Sequence, residues 1–149
     1  MRDLETTETA LIAAETGHLV IATCHTPNAF QTVERIVSIF PENKQPQIFT
    51  QLANCLQGVV AQRLVPSADK KSRRLVTEVL IMEPAARKHI RDRELHLLVN
   101  VIQMGRRKGM HTMDDSLVEL YEAGEITYDT AINNSYDPAG LRDRIHKKT

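Results

Sequence analysis

Apolar residues recur along this chain with two periods, and the changes of period mark its elements. From Asp3, a capping residue, Leu4, Thr7, Leu11 and Ala14 return at helical spacing as far as Gly17, a natural stop. His18-Leu-Val-Ile-Ala-Thr23 is a continuous apolar run, which predicts a strand buried on both faces, as in a parallel α/β sheet. Asn28 can cap a helix with the stripe Phe30, Val33, Ile36, Val37 and Phe40, closed by Pro41. Pro46 opens a third helix carrying Ile48, Leu52, Cys55, Leu56 and Val59, and Gly58 marks the turn out of it. Two apolar segments, 59–65 and 74–82, flank the polar and basic stretch 66–73 and predict an antiparallel hairpin with a solvated turn.

From Pro84 onwards the pattern is helical. Leu95, Leu98, Val99 and Ile102 form a stripe that Gly105 to Gly109 interrupts. Thr112 and Asp115 have the spacing of a capping box ahead of Leu117, Leu120 and Tyr121, and Gly124 ends that helix. A short helix near 127–131 follows. Residues 133–149 are expected to be a polar, flexible tail. The expected units are therefore 1–83, 84–132 and 133–149. A strand buried on both faces near the start needs parallel neighbours that the hairpin alone does not supply. The order of elements thus predicts further strands upstream of residue 3.

Composition narrows the functional classes. With 19 basic and 19 acidic residues the net charge is zero, and there is no tryptophan. This argues against nucleic acid as a partner. No apolar run approaches the roughly 18 residues of a membrane span, so no membrane insertion is expected, and the first residues do not resemble a signal peptide. Cys24 and Cys55 sit among apolar residues and read as reduced, buried thiols.

In an open α/β sheet, polar residues at the carboxyl end of a buried strand are the default site. Here they are Thr23, His25 and Thr26. An imidazole at that place can donate a hydrogen bond to a phosphate oxygen. His18 opens the same run, but positions seven apart on an extended chain face opposite sides, so the two histidines do not suggest a shared metal site, and no metal is expected. The glycines stand at 17, 58, 105, 109, 124 and 140, and no pair has the spacing of the phosphate-binding loop Gly-x-x-x-x-Gly-Lys-Ser/Thr. Gly105-Arg-Arg-Lys-Gly109 is basic but has the wrong spacing, and reads as a helix-breaking turn. Asp114 and Asp115, being adjacent, suit a helix start better than an acid/base pair.

Met1-Arg-Asp-Leu-Glu-Thr6, Ala13-Ala-Glu-Thr-Gly-His-Leu-Val20 and Thr23-Cys-His-Thr26 resemble the segment after the Walker B strand in twitching-motility ATPases, the PilT-like members of the type II/IV secretion ATPase superfamily. Phe40-Pro, Gln51-Leu-Ala, Gln62-Arg-Leu, Glu78-Val-Leu, Pro84-Ala, Ile102-Gln, Gly109-Met and Thr112-Met-Asp114 continue the resemblance in order to about residue 131.

The resemblance implies the C-terminal portion of a RecA-like P-loop NTPase core, a partial sheet plus hairpin, followed by a helical region. It implies a cytoplasmic motor at the inner membrane that forms a homo-hexameric ring and works on a pilus or secretion platform protein. ATP and Mg2+ would serve the complete protein, and neither is expected to bind tightly to this chain alone. His25 would be the histidine near the γ-phosphate and His18 the first histidine of the same box. Arg2 and Asp3 would follow directly behind the Walker B glutamate, and Thr26 would stand near the nucleotide. Residues 85–92 resemble a motif associated with retraction, with Ala85, Ala86, Arg87, Ile90 and Arg91 on its pattern. Arg87 and Arg91 share a helix face there, open either to a partner or to solvent. Cys24, Pro27, Phe49, Lys88 and His89 depart from the family's usual residues. The alternative reading is a non-catalytic module, or a degenerate remnant, that docks on intact motor subunits.

Overall fold

The computed structural model describes residues 3–147. Asp3 caps helix α1 (Leu4–Glu15), accepting the Thr6 amide at 2.8 Å. Gly17, with a φ of +94°, makes the left-handed exit that a side chain would strain. Asn28 caps α2 (Ala29–Ser38) through the Gln31 amide at 2.9 Å, and Pro46 lies in the first turn of α3 (Gln45–Cys55).

Strands β1 (Gly58–Pro66) and β2 (Arg73–Ile81) form the hairpin, antiparallel and in register from Gly58 opposite Ile81 to Pro66 opposite Arg73. Pro84 starts α4 (Pro84–Arg91). A short 3-10 turn leads into α5 (Leu98–Met104), which ends at the glycine-bounded turn. The Thr112–Asp115 capping box forms with both of its bonds and opens α6 (Met113–Glu122). Then come α7 (Tyr128–Asn134) and α8 (Pro138–His146).

Alternation gives the hairpin one buried face, on which Val59, Ala61 and Val65 lie with Val76, Glu78 and Leu80. That face serves two apolar clusters. At one end Val59 and Leu80 join α1 to α5, where Val33, Ile90 and Leu98 are wholly buried. At the other end Ala61, Val65 and Val76 join Met113, Leu117, Leu141 and Ile145 of α6 and α8. The two clusters meet under the hairpin near Glu78.

Two expectations need correcting. Residues 18–23 form no strand: the stretch from 18 to 26 has no ladder partner among the described residues, and Leu19 and Ile21 are 82% and 88% exposed. An apolar run becomes a buried strand only when neighbours supply hydrogen-bond partners and cover both faces. The only sheet among the described residues is the hairpin. The stretch from 133 onwards, expected as a flexible tail, contains α8, whose Leu141 and Ile145 are 1% and 6% exposed. These two apolar residues, one helical turn apart, pack into the second apolar cluster.

Candidate functional site

Residues between Gly17 and Pro27 border a cleft of about 920 Å³. On one side it is lined by residues from Gly17 to Pro27, and on the other by Gln57 to Gln62 of β1; Leu11, Ile36 and Leu52 contribute from the helices. β1 is paired with β2 on one edge and carries no ladder on the other among the described residues.

His18, His25 and Thr26 all line this cleft. Alternation on a regular strand would have put the two imidazoles on opposite faces; because the stretch is irregular, both reach the same space. His18 Nδ1 lies 3.2 Å from the Thr16 hydroxyl, and the Thr26 hydroxyl lies 2.7 Å from that of Thr32 on α2. His25 is exposed. Among the described residues, the cleft is lined by no lysine, arginine, aspartate or glutamate. It therefore offers polar hydroxyls and imidazoles but no cation for a polyphosphate and no carboxylate for a divalent metal. The residues present do not by themselves fit Mg-ATP.

Asp3 is not part of that lining. Its carboxylate is engaged at the start of α1, where the Thr6 amide and hydroxyl hold it below the usual carboxylate range. Arg2 lies outside the described residues. Cys24 and Cys55, expected to be buried, are half-buried at the cleft; burial pushes the Cys55 thiol up.

The segment matching the retraction motif is α4. Ala86 and Ile90 are fully buried beneath it, Ala85 is exposed, and both arginines turn towards the end of α3. Arg87 donates to the Ala53 and Asn54 carbonyls at 2.7 and 2.9 Å, and Arg91 reaches the Asn54 side chain at 3.3 Å. Guanidinium groups here satisfy the last carbonyls of a helix and complement its dipole. His89, where the family resemblance leads one to expect leucine, sits 3.1 Å from Glu94.

Three functional-looking groups escaped the sequence reading. Glu78 is 6% exposed and accepts the first amides of two helices, Ala29 of α2 at 2.8 Å and Met113 of α6 at 3.4 Å. Burial raises its carboxyl above the ordinary value, although both amide bonds oppose the shift. Its signal in the sequence was a carboxylate between Val76 and Leu80, on the apolar phase of a strand. Tyr136 donates its hydroxyl to the Pro27 carbonyl at 2.7 Å, across 109 positions of sequence. Asp115, read as a capping-box partner of Thr112 and a helix-start charge, also accepts Arg144 of α8 at 2.6 Å and is paired with Arg106.

The profile of the family described as "Type II/IV secretion system protein" matches residues 1–136. The chain belongs to this family. Among its relatives it is 42% identical to the type IV pilus ATPase PilU of Pseudomonas aeruginosa over 142 residues, covering 95% of this chain and 37% of PilU. It is 39% identical to the type IV pilus retraction ATPase PilT of the same organism, covering 88% of this chain and 38% of PilT. The solved structure of the pilus retraction motor PilT with bound ADP shares 45% identity and superposes with a TM-score of 0.85, covering 96% of this chain and 40% of that one. The Legionella pneumophila ATPase DotB is similar at 25% identity and a TM-score of 0.73. The fold is thus α/β and matches the corresponding part of these ATPases. The chain spans less than two-fifths of the curated relatives named here. No helix among the described residues is long and apolar enough to cross a membrane.

Proposed function

We propose that this chain supplies the C-terminal part of a hexameric, ATP-driven motor for type IV pilus retraction or a related secretion task. The observation that carries this reading is that the match to the solved structure of a pilus retraction motor covers 96% of this chain and 40% of that one, with a TM-score of 0.85. The cleft supports it physically. Two stretches of backbone without ladder partners among the described residues, 18–26 and the outer edge of β1, line one cleft. Such edges accept further strands. In this reading the missing strands bring the phosphate-binding loop and the Walker B glutamate. His25 then lies beside the terminal phosphate, with His18, Thr26, Arg2 and Asp3 in its vicinity, and Mg2+ accompanies ATP. The residues on α4 that match the retraction motif, Ala85, Ala86, Arg87, Ile90 and Arg91, link the nucleotide site to the pilus machinery through α3. The assembled ring is cytoplasmic and meets an inner-membrane platform protein.

Two measurements test this. Calorimetric titration of the 149-residue chain with Mg-ATP is expected to give no tight binding, and micromolar affinity would refute the missing-cradle reading. Co-expression with a PilU truncated before the segment that matches this chain is expected to restore Mg-ATP hydrolysis, and absence of any association with that partner counts against the reading. Association with intact PilU but not with the truncated form would favour a docking module instead.

A further inference from the structure

We propose that Glu78 and Tyr136 are the positioning residues of the loop that carries His25, and that they tie its geometry to the helices at the other end of the chain. This rests on the reading of His25 given above, but the test below does not depend on nucleotide chemistry.

The two side chains converge on Pro27-Asn28-Ala29, the stretch directly after the His25–Thr26 pair. Glu78 approaches from the buried face of the hairpin, with Oε1 accepting the Ala29 amide at 2.8 Å. Its other oxygen accepts the Met113 amide at 3.4 Å, so one carboxylate joins the first residues of α2 and α6. A carboxylate suits that place because each of its oxygens can accept a helix-start amide, whereas a carboxamide offers only one acceptor. Opposite Glu78 on β1 stands Ala61, at the seam between the two apolar clusters. A leucine there would complete either cluster; the buried acid instead spends the position on linking them.

Tyr136 approaches from the α7–α8 junction, where its hydroxyl donates to the Pro27 carbonyl at 2.7 Å. The junction is itself held from two sides. Asp114 accepts the Ser135 hydroxyl and the Tyr136 and Asp137 amides at 2.9, 3.1 and 3.2 Å. Arg63 of β1 donates to the Asn134 carbonyl at 2.9 Å and to the Tyr136 hydroxyl at 3.2 Å, with its guanidinium 5.4 Å from the centre of the Tyr136 ring. Movement of α6 or of the α7–α8 junction therefore pulls on residues 27–29 through Glu78, Tyr136 or both.

The test is nuclear magnetic resonance of the 149-residue chain carrying Tyr136→Phe or Glu78→Gln. Tyr136→Phe removes one hydroxyl from a 45% exposed ring and keeps the stack on Arg63. The His25 ring resonances are expected to shift or broaden, while those of His96 and His146 stay in place. In Glu78→Gln, exchange of the Ala29 or Met113 amide is expected to quicken about 10- to 100-fold, as for loss of a hydrogen bond to a charged group. A merely structural role would lower the melting temperature without moving His25. Unchanged His25 resonances in folded Tyr136→Phe protein overturn the proposal, and that variant decides the matter by itself if Glu78→Gln does not fold.

Discussion

Replacing Asp115 by asparagine tests the polar contacts that join the start of α6 to α8 and to the turn before it. Asp115 is 3% exposed. One oxygen accepts the Thr112 amide at 3.0 Å and the other accepts Arg144 of α8 at 2.6 Å, with Arg106 on the same oxygen. Asparagine keeps one acceptor oxygen and loses the charge. Breaking a fully buried ion pair costs about 3–5 kcal/mol. The Arg106 and Arg144 side chains are 59% and 42% exposed, so water screens the pair, and about 1–2 kcal/mol is the better figure. The one oxygen left cannot serve both the guanidinium groups and the Thr112 amide, and the acceptor lost adds about 1 kcal/mol. A total of about 2–3 kcal/mol corresponds to a fall in melting temperature of roughly 5–10 °C for a domain of this size.

Thermal melts followed by circular dichroism at neutral and acid pH measure this. Burial alone would raise the Asp115 carboxyl, but the Thr112 amide and hydroxyl and Arg144 outweigh it, and the net shift is downwards. The stabilisation is therefore present above the ordinary value of 3.8 and fades as pH falls through the lowered folded value. The gap between wild type and Asp115→Asn should close in strong acid. A variant that melts within about 1 °C of wild type at neutral pH would refute the reasoning.

Glu78 has the opposite sign. Its folded value is raised above the ordinary 4.5, so the native state holds more protons than the unfolded chain across that window, and stability should fall as pH rises through it. Melting temperatures of Glu78→Gln should lack this slope; equal slopes would exclude Glu78 as its source. Arg87→Ala should cost about 1–2 kcal/mol through the uncapped Ala53 and Asn54 carbonyls, with Arg87→Lys in between, as read by urea denaturation. Leu19→Ser with Ile21→Ser should lower binding of a hydrophobic dye, because these side chains are 82% and 88% exposed; unchanged dye fluorescence would place the apolar surface elsewhere. Hydrolysis of Mg-ATP should require this chain together with a PilU piece that ends before the matching segment, and neither part alone should suffice.

Local chemistry was legible in the sequence. Asp3, Asn28 and Thr112 cap the helices they precede, Pro46 and Pro84 lie in first turns, and the hairpin runs within a residue of its expected ends. These features depend on bonds between residues a few positions apart, or on the pleat of a single hairpin. The cleft was legible only in part. The sequence marked His18, His25 and Thr26, but its apolar run predicted a strand where the tertiary structure has an irregular stretch outside any sheet ladder among the described residues, because a ladder is a property of two segments and not of one. Tertiary structure alone decided that Arg87 and Arg91 face α3, that Leu141 and Ile145 dock the last helix, and that Tyr136 reaches Pro27. Each joins residues far apart in sequence, and no local period encodes which distant carbonyl a side chain will meet.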